Sequence, residues 1–186
     1  ANMQTNNVKL DSLPLDSEAK TTIGRGFLDG NFKLAGKNNS LSLDTVNATG
    51  VAKIKIGDGI ISTNNLKLNA GIWRSDLLAE EIKLRKIFAD VPVELSNPVR
   101  GKFYLNGTTE NLAPSGISGS GSAQIAALAG KITAQNIKIT NGKYQTLIIP
   151  ENLHLKELAN IDGVMKGLLN VKGNLENFRP TAIAAT

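Results

Sequence analysis

Aliphatic and polar residues alternate at a period of two along almost the whole chain. The pattern is explicit in Leu41-Ser42-Leu43, Ile54-Lys55-Ile56, Leu66-Lys67-Leu68, Ile82-Lys83-Leu84 and Val91-Pro92-Val93-Glu94-Leu95. It returns in Phe103-Tyr104-Leu105, Ile137-Lys138-Ile139, Leu153-His154-Leu155 and Leu169-Asn170-Val171. Successive side chains of a strand point to opposite sides, so each run predicts a strand with one aliphatic and one solvated face. Gly, Asn and Asp punctuate the runs at Gly57-Asp58-Gly59, Thr63-Asn64-Asn65 and Asn141-Gly142, which predicts turns and short connections. The reading is an all-β chain of roughly a dozen mostly antiparallel strands, about five to six per repeating unit. Pro92 marks its run as an edge or irregular strand.

The pattern also repeats on a longer scale. Gly30–Leu84 aligns with Gly101–Leu155 at a constant shift of 71, without gaps and with 15 of 55 positions identical. The identities include Gly30/Gly101, Phe32/Phe103, Gly50/Gly121, Gly59/Gly130, Asn65/Asn136 and Gly71/Gly142, and Trp73 pairs with Tyr144. Two stretches with some helical character, Ser75–Glu81 and Ser122–Ala129, each align with strand-like sequence and are therefore read as strands. Val99–Pro114 recurs at Met165–Pro180 with a shift of 66, which places a shorter connection between Leu155 and Met165. The chain thus reads as one repetitive β domain. Residues 1–27 form the tail of one unit, 28–98 and 99–164 two whole units, and 165–186 the head of the next. Starting and stopping within a unit, without polar capping units, is the expectation for an excerpt of a longer array.

Three architectures suit strands that are apolar on one side: a two-sheet sandwich, a closed solenoid, and a single sheet curled into an open groove. Sandwich cores lean on aromatics, yet only 4% of the residues are Phe, Trp or Tyr. Short-coil solenoids repeat far more often than every 71 residues. The open half-pipe with an apolar concave face is the preferred expectation, with the sandwich and the solenoid as alternatives. The inward positions are then Ile54, Ile56, Leu66, Leu68, Ile82, Leu84, Phe103, Leu105, Ile137, Ile139, Leu153, Leu155, Leu169 and Val171. Alternation alone does not separate a groove lining from an ordinary packed core.

Composition and charge change this picture little. The net charge is +5, but the lysines are spread singly along strand exteriors, as on a solvated face. Without basic clusters or stacking aromatics, nucleic acid is not an expected partner. No apolar run is long enough to span a bilayer as a helix, and no basic-then-apolar leader opens the chain. With no cysteine, one histidine and 16 scattered carboxylates, neither a metal site nor a catalytic constellation is expected, and no cofactor is implied. His154 reads as an exposed strand residue, and Trp73 and Tyr144 as braces of equivalent turns. Gly24-x-Gly26-x-x-x-Gly30 and Gly116-x-x-Gly119-x-Gly121 read as turns rather than phosphate loops. A paired-carboxylate glycosidase is the weakest of the function classes, for want of sugar-stacking aromatics.

Val99-Arg100-Gly101-Lys102-Phe103-Tyr104-Leu105-Asn106-Gly107, continuing to Glu110-Asn111-Leu112-Ala113-Pro114, resembles a unit start of the TamB family. Met165–Pro180 resembles it again, and Gly119-Ser120-Gly121, Gly130-Lys131-Ile132 and Asn141-Gly142-Lys143-Tyr144 continue the likeness. That family belongs to the AsmA-like, repeating β-groove proteins of the cell envelope and has a chloroplast-envelope relative involved in protein import. The closing Gly173–Thr186 segment is most similar in flavour to cyanobacterial members. The resemblance implies a parent protein anchored in the inner membrane by a segment outside this sequence and reaching through the periplasm. Its implied partners are phospholipid acyl chains in transit and, through other parts of the parent, an outer-membrane assembly barrel protein. The implied function is shielding of acyl chains or support of outer-membrane protein assembly or translocation, without enzymatic activity. The alternative is a purely structural repeat, such as part of a surface stalk, that binds no lipid.

Overall fold

A computed structural model describes residues 1–12, 26–36, 44–86, 93–156, 160–176 and 180–185. The strands are β1 (Asn2–Lys9), β2 (Phe27–Ala35), β3 (Asn47–Ile56), β4 (Gly59–Asn69), β5 (Ile72–Ile82), β6 (Val99–Thr108) and β7 (Ser118–Ala127). They continue as β8 (Gly130–Thr140), β9 (Lys143–Glu151), β10 (Leu153–His154), β11 (Val164–Met165), β12 (Leu169–Asn174) and β13 (Pro180–Ala185). Eleven of them form one antiparallel sheet in the order β1 to β9, then β12, then β13, while β10 and β11 pair separately. Each strand lies beside its predecessor in the sheet, so the sheet is an uninterrupted meander that does not close into a barrel. The open all-β architecture expected from the alternation is the one observed.

The sequence repeat is also a repeat of structure. β3, β4 and the start of β5 recur as β7, β8 and the start of β9 at the same shift of 71 residues. Among the described residues each whole unit gives four strands to the sheet, against the five to six expected, and Val93–Leu95 and Leu153–His154 lie off it. Every fourth connection is long: residues 10–26, 83–98 and 152–168 all depart from the same end of the sheet. Within them, Leu84–Lys86 and Val93–Leu95 are short 3-10 turns rather than strands. The run at 41–43 and residues 91–92 lie outside the described residues.

Repeated asparagines and glycines have identifiable work. Thr63-Asn64-Asn65 is not a turn but a bulge inside β4. Thr63 pairs Ala52 and Leu66 pairs Gly50, so one extra residue opposes β3. Gln135–Asn136 is the matching bulge in β8, with Asn136 at φ 51°, a conformation asparagine tolerates. A bulge bends its strand, and two at equivalent positions bend the sheet the same way twice. Gly71 (φ +79°) and Gly142 (φ +74°) take the left-handed turn position, and their carbonyls accept the N–H of Thr109 and of Leu175 at 2.8 Å each. Gly30, Gly119 and Gly121, read from sequence as turn glycines, lie instead within β2 and β7.

Among the described residues, one contiguous cluster of buried residues lies at the end from which the long connections depart. Ala127 and Leu128 close the β7–β8 hairpin against Leu153, which is 2% exposed, with Leu95, Ile132 and Met165 packed around them. The His154 N–H donates to the Leu128 carbonyl at 2.9 Å and fixes this segment to the hairpin. Elsewhere, among the described residues, no second layer covers the sheet. The accessible surface is 11828 Å², against about 8600 Å² for a compact monomer of 19.7 kDa.

Candidate functional site

The pairing registers assemble the apolar positions of separate strands into rows. One row crosses the entire sheet: Val8, Leu28, Ile54, Ile61, Ala79, Gly101, Ala123, Ala134, Ile148, Leu169 and Ala185. At the spacing of neighbouring strands the row is about 50 Å long, more than the roughly 30 Å of a bilayer hydrocarbon core. A second row runs Leu105, Gly119, Ile139, Tyr144 and Gly173, and a third Leu34, Ala48, Leu68, Trp73 and Gly107. No charged side chain joins this face among the described strand residues. Its serine and threonine hydroxyls hydrogen-bond internally, while the Trp73 indole N–H is buried without a hydrogen-bond partner. Ser75 Oγ donates to Thr63 Oγ1 at 2.9 Å, and Thr146 Oγ1 donates to the Gln135 carbonyl at 2.9 Å. The second bond holds the β8 bulge, and Thr63 Oγ1 accepts from the Asn65 N–H at the β4 bulge at 3.1 Å.

Aromatic rings lie flat on glycines across this face. A methyl group on Gly30 or Gly50 would stand 2.6 Å from the Phe32 ring, and one on Gly101 would stand 2.8 Å from the Phe103 ring. The same ring closes over Gly121, Trp73 covers Gly107 at 2.8 Å, and Tyr144 covers Gly173. Trp73 and Tyr144 therefore do not brace turns, as their sequence positions suggested; they occupy the apolar face over strand glycines. Burial pushes the Tyr144 phenol above its ordinary value. The two glycines beside each Phe follow from its shape, because a ring laid along the sheet needs neighbours without side chains. In the third unit Leu169 replaces the Phe, and its partner across the pair is Ala185 rather than Gly.

Of the fourteen positions read as inward, eleven share this face: Ile54, Ile56, Leu66, Leu68, Ile82, Phe103, Leu105, Ile137, Ile139, Leu169 and Val171. Among these Ile56, Ile82 and Ile139 are buried, and the others are half-buried. Leu84, Leu153 and Leu155 lie off the large sheet. Leu153 seals the small core, and Leu84 and Leu155 sit in the departing connections. Strict alternation missed Leu28, Phe32, Leu34, Ile61, Leu77 and Ile148. The identities Phe32/Phe103 and Leu34/Leu105 were the signal for two of them, since equivalent positions of a repeat face the same way.

The opposite face is mostly polar and shallowly sculpted, with Val51, Ile72, Leu78 and Tyr104 exposed on it. Recesses of about 390 to 890 Å³ lie between long side chains such as Lys33, Lys67, Lys102 and Lys138, with Gly, Ser or Asn beneath. Recesses form here where the side chains between the long ones are short. Ion pairs tie neighbouring strands together on the polar side. Lys131 meets Glu151 at 3.1 Å, Lys55 meets Asp29 at 3.9 Å, and Arg100 meets Glu81. At the connection end the Lys83 ammonium donates to Asp58 at 2.9 Å. That bond and the lysine charge hold the Asp58 carboxyl below its ordinary value, while Asp58 lifts Lys83. The Asp58 contribution exists above its unfolded pKa and is lost as pH falls through the lowered value. The Lys83 contribution exists below its unfolded pKa and is lost as pH rises through the raised one. Both groups are solvated, so Asp58→Asn is expected to leave the thermal midpoint at pH 7 within measurement error in circular-dichroism melts.

His154 is exposed on β10, and no group of three or more metal-ligating side chains converges among the described residues. No helix of the described residues is long and apolar enough to cross a membrane. What the arrangement offers chemically is a continuous uncharged face that takes up apolar surface by burial. Comparison with protein-family models, curated proteins and solved structures finds no match to this chain.

Proposed function

We propose that this chain is a section of an envelope-spanning apolar groove that shields phospholipid acyl chains in transit between membranes. The observation that carries the reading is the uncharged row of eleven residues, one per strand, with no layer of the described residues over it. The resemblance to the TamB family supports the same role, and with it we propose a periplasmic location and outer-membrane protein assembly as the wider task. Each methylene taken from water is worth about 0.8 kcal/mol, so a face this long offsets extraction of an acyl chain without any chemical step. Repetition of one unit presents the same surface at each step, which suits movement along the face.

The test is native mass spectrometry of the chain purified from membranes, with photo-crosslinking residues at Leu68 and Phe103 on the apolar face and at Lys67 and Lys102 on the polar face. Phospholipid adducts are expected from the first pair only. Leu68→Asp or Phe103→Asp should lower captured lipid about tenfold, the equivalent of losing contact with roughly two methylenes. Lys67→Asp and Lys102→Asp should leave it unchanged. Equal losses from both faces with the fold intact, or adducts from the polar pair, would make the structural-repeat reading the better one.

A further inference from the structure

We propose that a trough along β7, on the polar face of the sheet, binds an acidic saccharide chain. It lies on the side away from the apolar rows and does not depend on the lipid reading. On the polar face β7 presents Ser118, Ser120 and Ser122, whose short side chains make a floor. One wall comes from β6, where Asn106, Tyr104 and Lys102 pair with those three serines. The other comes from Gln135, Asn136 and Lys138 of β8. The walls stand two strand spacings apart, about 10 Å, and the recess between them measures about 890 Å³. Strict alternation would give only one of Gln135 and Asn136 to this face, but the bulge brings both amides to the recess.

The first unit has the same strands without the same trough. Val51, 40% exposed, fills the place of Ser122, and Lys33 takes the place of Tyr104. Its bulge amide is also engaged, because Asn65 Nδ2 donates to Asp76 at 2.9 Å. Leu147 replaces Asp76 in the second unit, and the Asn136 amide makes no hydrogen bond among the described residues. The Ser120 and Ser122 hydroxyls and the Lys138 ammonium are equally uncommitted among them. Thr133 Oγ1, on the lining of the same recess, is buried without a partner. Three differences between otherwise matching units thus converge on one trough.

The lining selects the ligand. Tyr104 is 42% exposed and no other described aromatic side chain is exposed, so its ring offers a flat apolar wall with a polar tip. A sugar ring has the matching build, with C–H groups on its faces and hydroxyls at its rim. Serine hydroxyls and carboxamides both donate and accept, as sugar hydroxyls require of their partners. No carboxylate lines the recess, and Lys138 in it and Lys102 beside it favour an anionic group on the chain. An acidic peptide would engage the two lysines and gain little from the ring, the serines and the amides.

Titration calorimetry of the full chain with tetragalacturonate tests this, with maltotetraose and hexaglutamate as neutral-sugar and acidic-peptide comparisons. Saturable binding of tetragalacturonate is expected, with weaker binding of maltotetraose and none of hexaglutamate. Amide shifts in NMR spectra should centre on Ser118–Ser122 and Gln135–Lys138. Tyr104→Ala and Ser122→Val, the latter installing the first unit's residue, should each weaken binding about tenfold with the fold intact by circular dichroism. Lys138→Gln should weaken tetragalacturonate and leave maltotetraose unaffected, while Lys67→Gln, the same charge change in the first unit, should alter neither. Absence of saturable binding, equal binding of hexaglutamate, or equal losses from Lys67→Gln and Lys138→Gln would overturn the inference. None of these probes carries an acyl chain, so failure here and failure of the groove reading are distinguishable.

Discussion

Gly121→Val is expected to destabilise the chain by about 2–3 kcal/mol, the range of an overpacked interior position, measured by urea denaturation. A side chain at this position meets two obstacles of different kinds. The Phe103 ring lies over it, and the Lys102 carbonyl of the neighbouring strand stands 2.6 Å from where the first carbon would be. The ring can rotate away, at the cost of the apolar contact it makes, whereas the carbonyl moves only with its strand. The β12–β13 hairpin shows how the same site accommodates a side chain, by pairing Leu169 with Ala185. Phe103→Leu and Gly121→Ala together should therefore cost less than the sum of the two single changes, with a coupling of about 1 kcal/mol in a double-mutant cycle. Strict additivity would show that the ring and the glycine are independent and that the repeated pairing of Phe with Gly has another cause.

Leu153→Ala should cost about 2–5 kcal/mol, the range for emptying a closed aliphatic site. Leu153 joins the connection of one unit to the Ala127–Leu128 hairpin end of the same unit, with Leu95 and Met165 arriving from two connections. Its loss should therefore speed amide exchange in the β7–β8 hairpin before it affects β2–β4. Leu66→Ala, on the half-buried open face, should cost about 1 kcal/mol, because much of that side chain already meets solvent. A cost at Leu66 equal to that at Leu153 would mean that the open face is covered in solution, which would count against the groove. The two substitutions thus separate what holds the fold together from what the fold presents.

Strand identity and facing were legible residue by residue, because a strand's period of two is a local property. Leu66-Lys67-Leu68 and Ile137-Lys138-Ile139 point as their alternation requires. The shift of 71 is kept by β3, β4, β7 and β8, since equivalent sequences meet equivalent neighbours. Local pattern failed where a neighbour decides. Thr63-Asn64-Asn65 looks like a turn, yet it is a bulge, because β3 on one side and β5 on the other keep the strand in the sheet on both sides of it. Val93–Leu95 alternates like a strand and forms a 3-10 turn, since nothing pairs with it along the sheet and its Leu95 has the Leu153 pocket to fill. Gly121 reads as a turn former, while its role is to leave room for a ring contributed by another strand.

The sequence by itself determined an all-β, one-sided, repeating chain, because alternation and repetition are carried by each segment alone. Only the tertiary structure decided the register that lines up Val8 through Ala185 and the rings that lie on glycines. It also decided that Leu153 is sealed in a core while Leu66 lines an open face. These depend on contacts between residues distant in sequence, and burial is a property of the neighbours that arrive rather than of the side chain that waits.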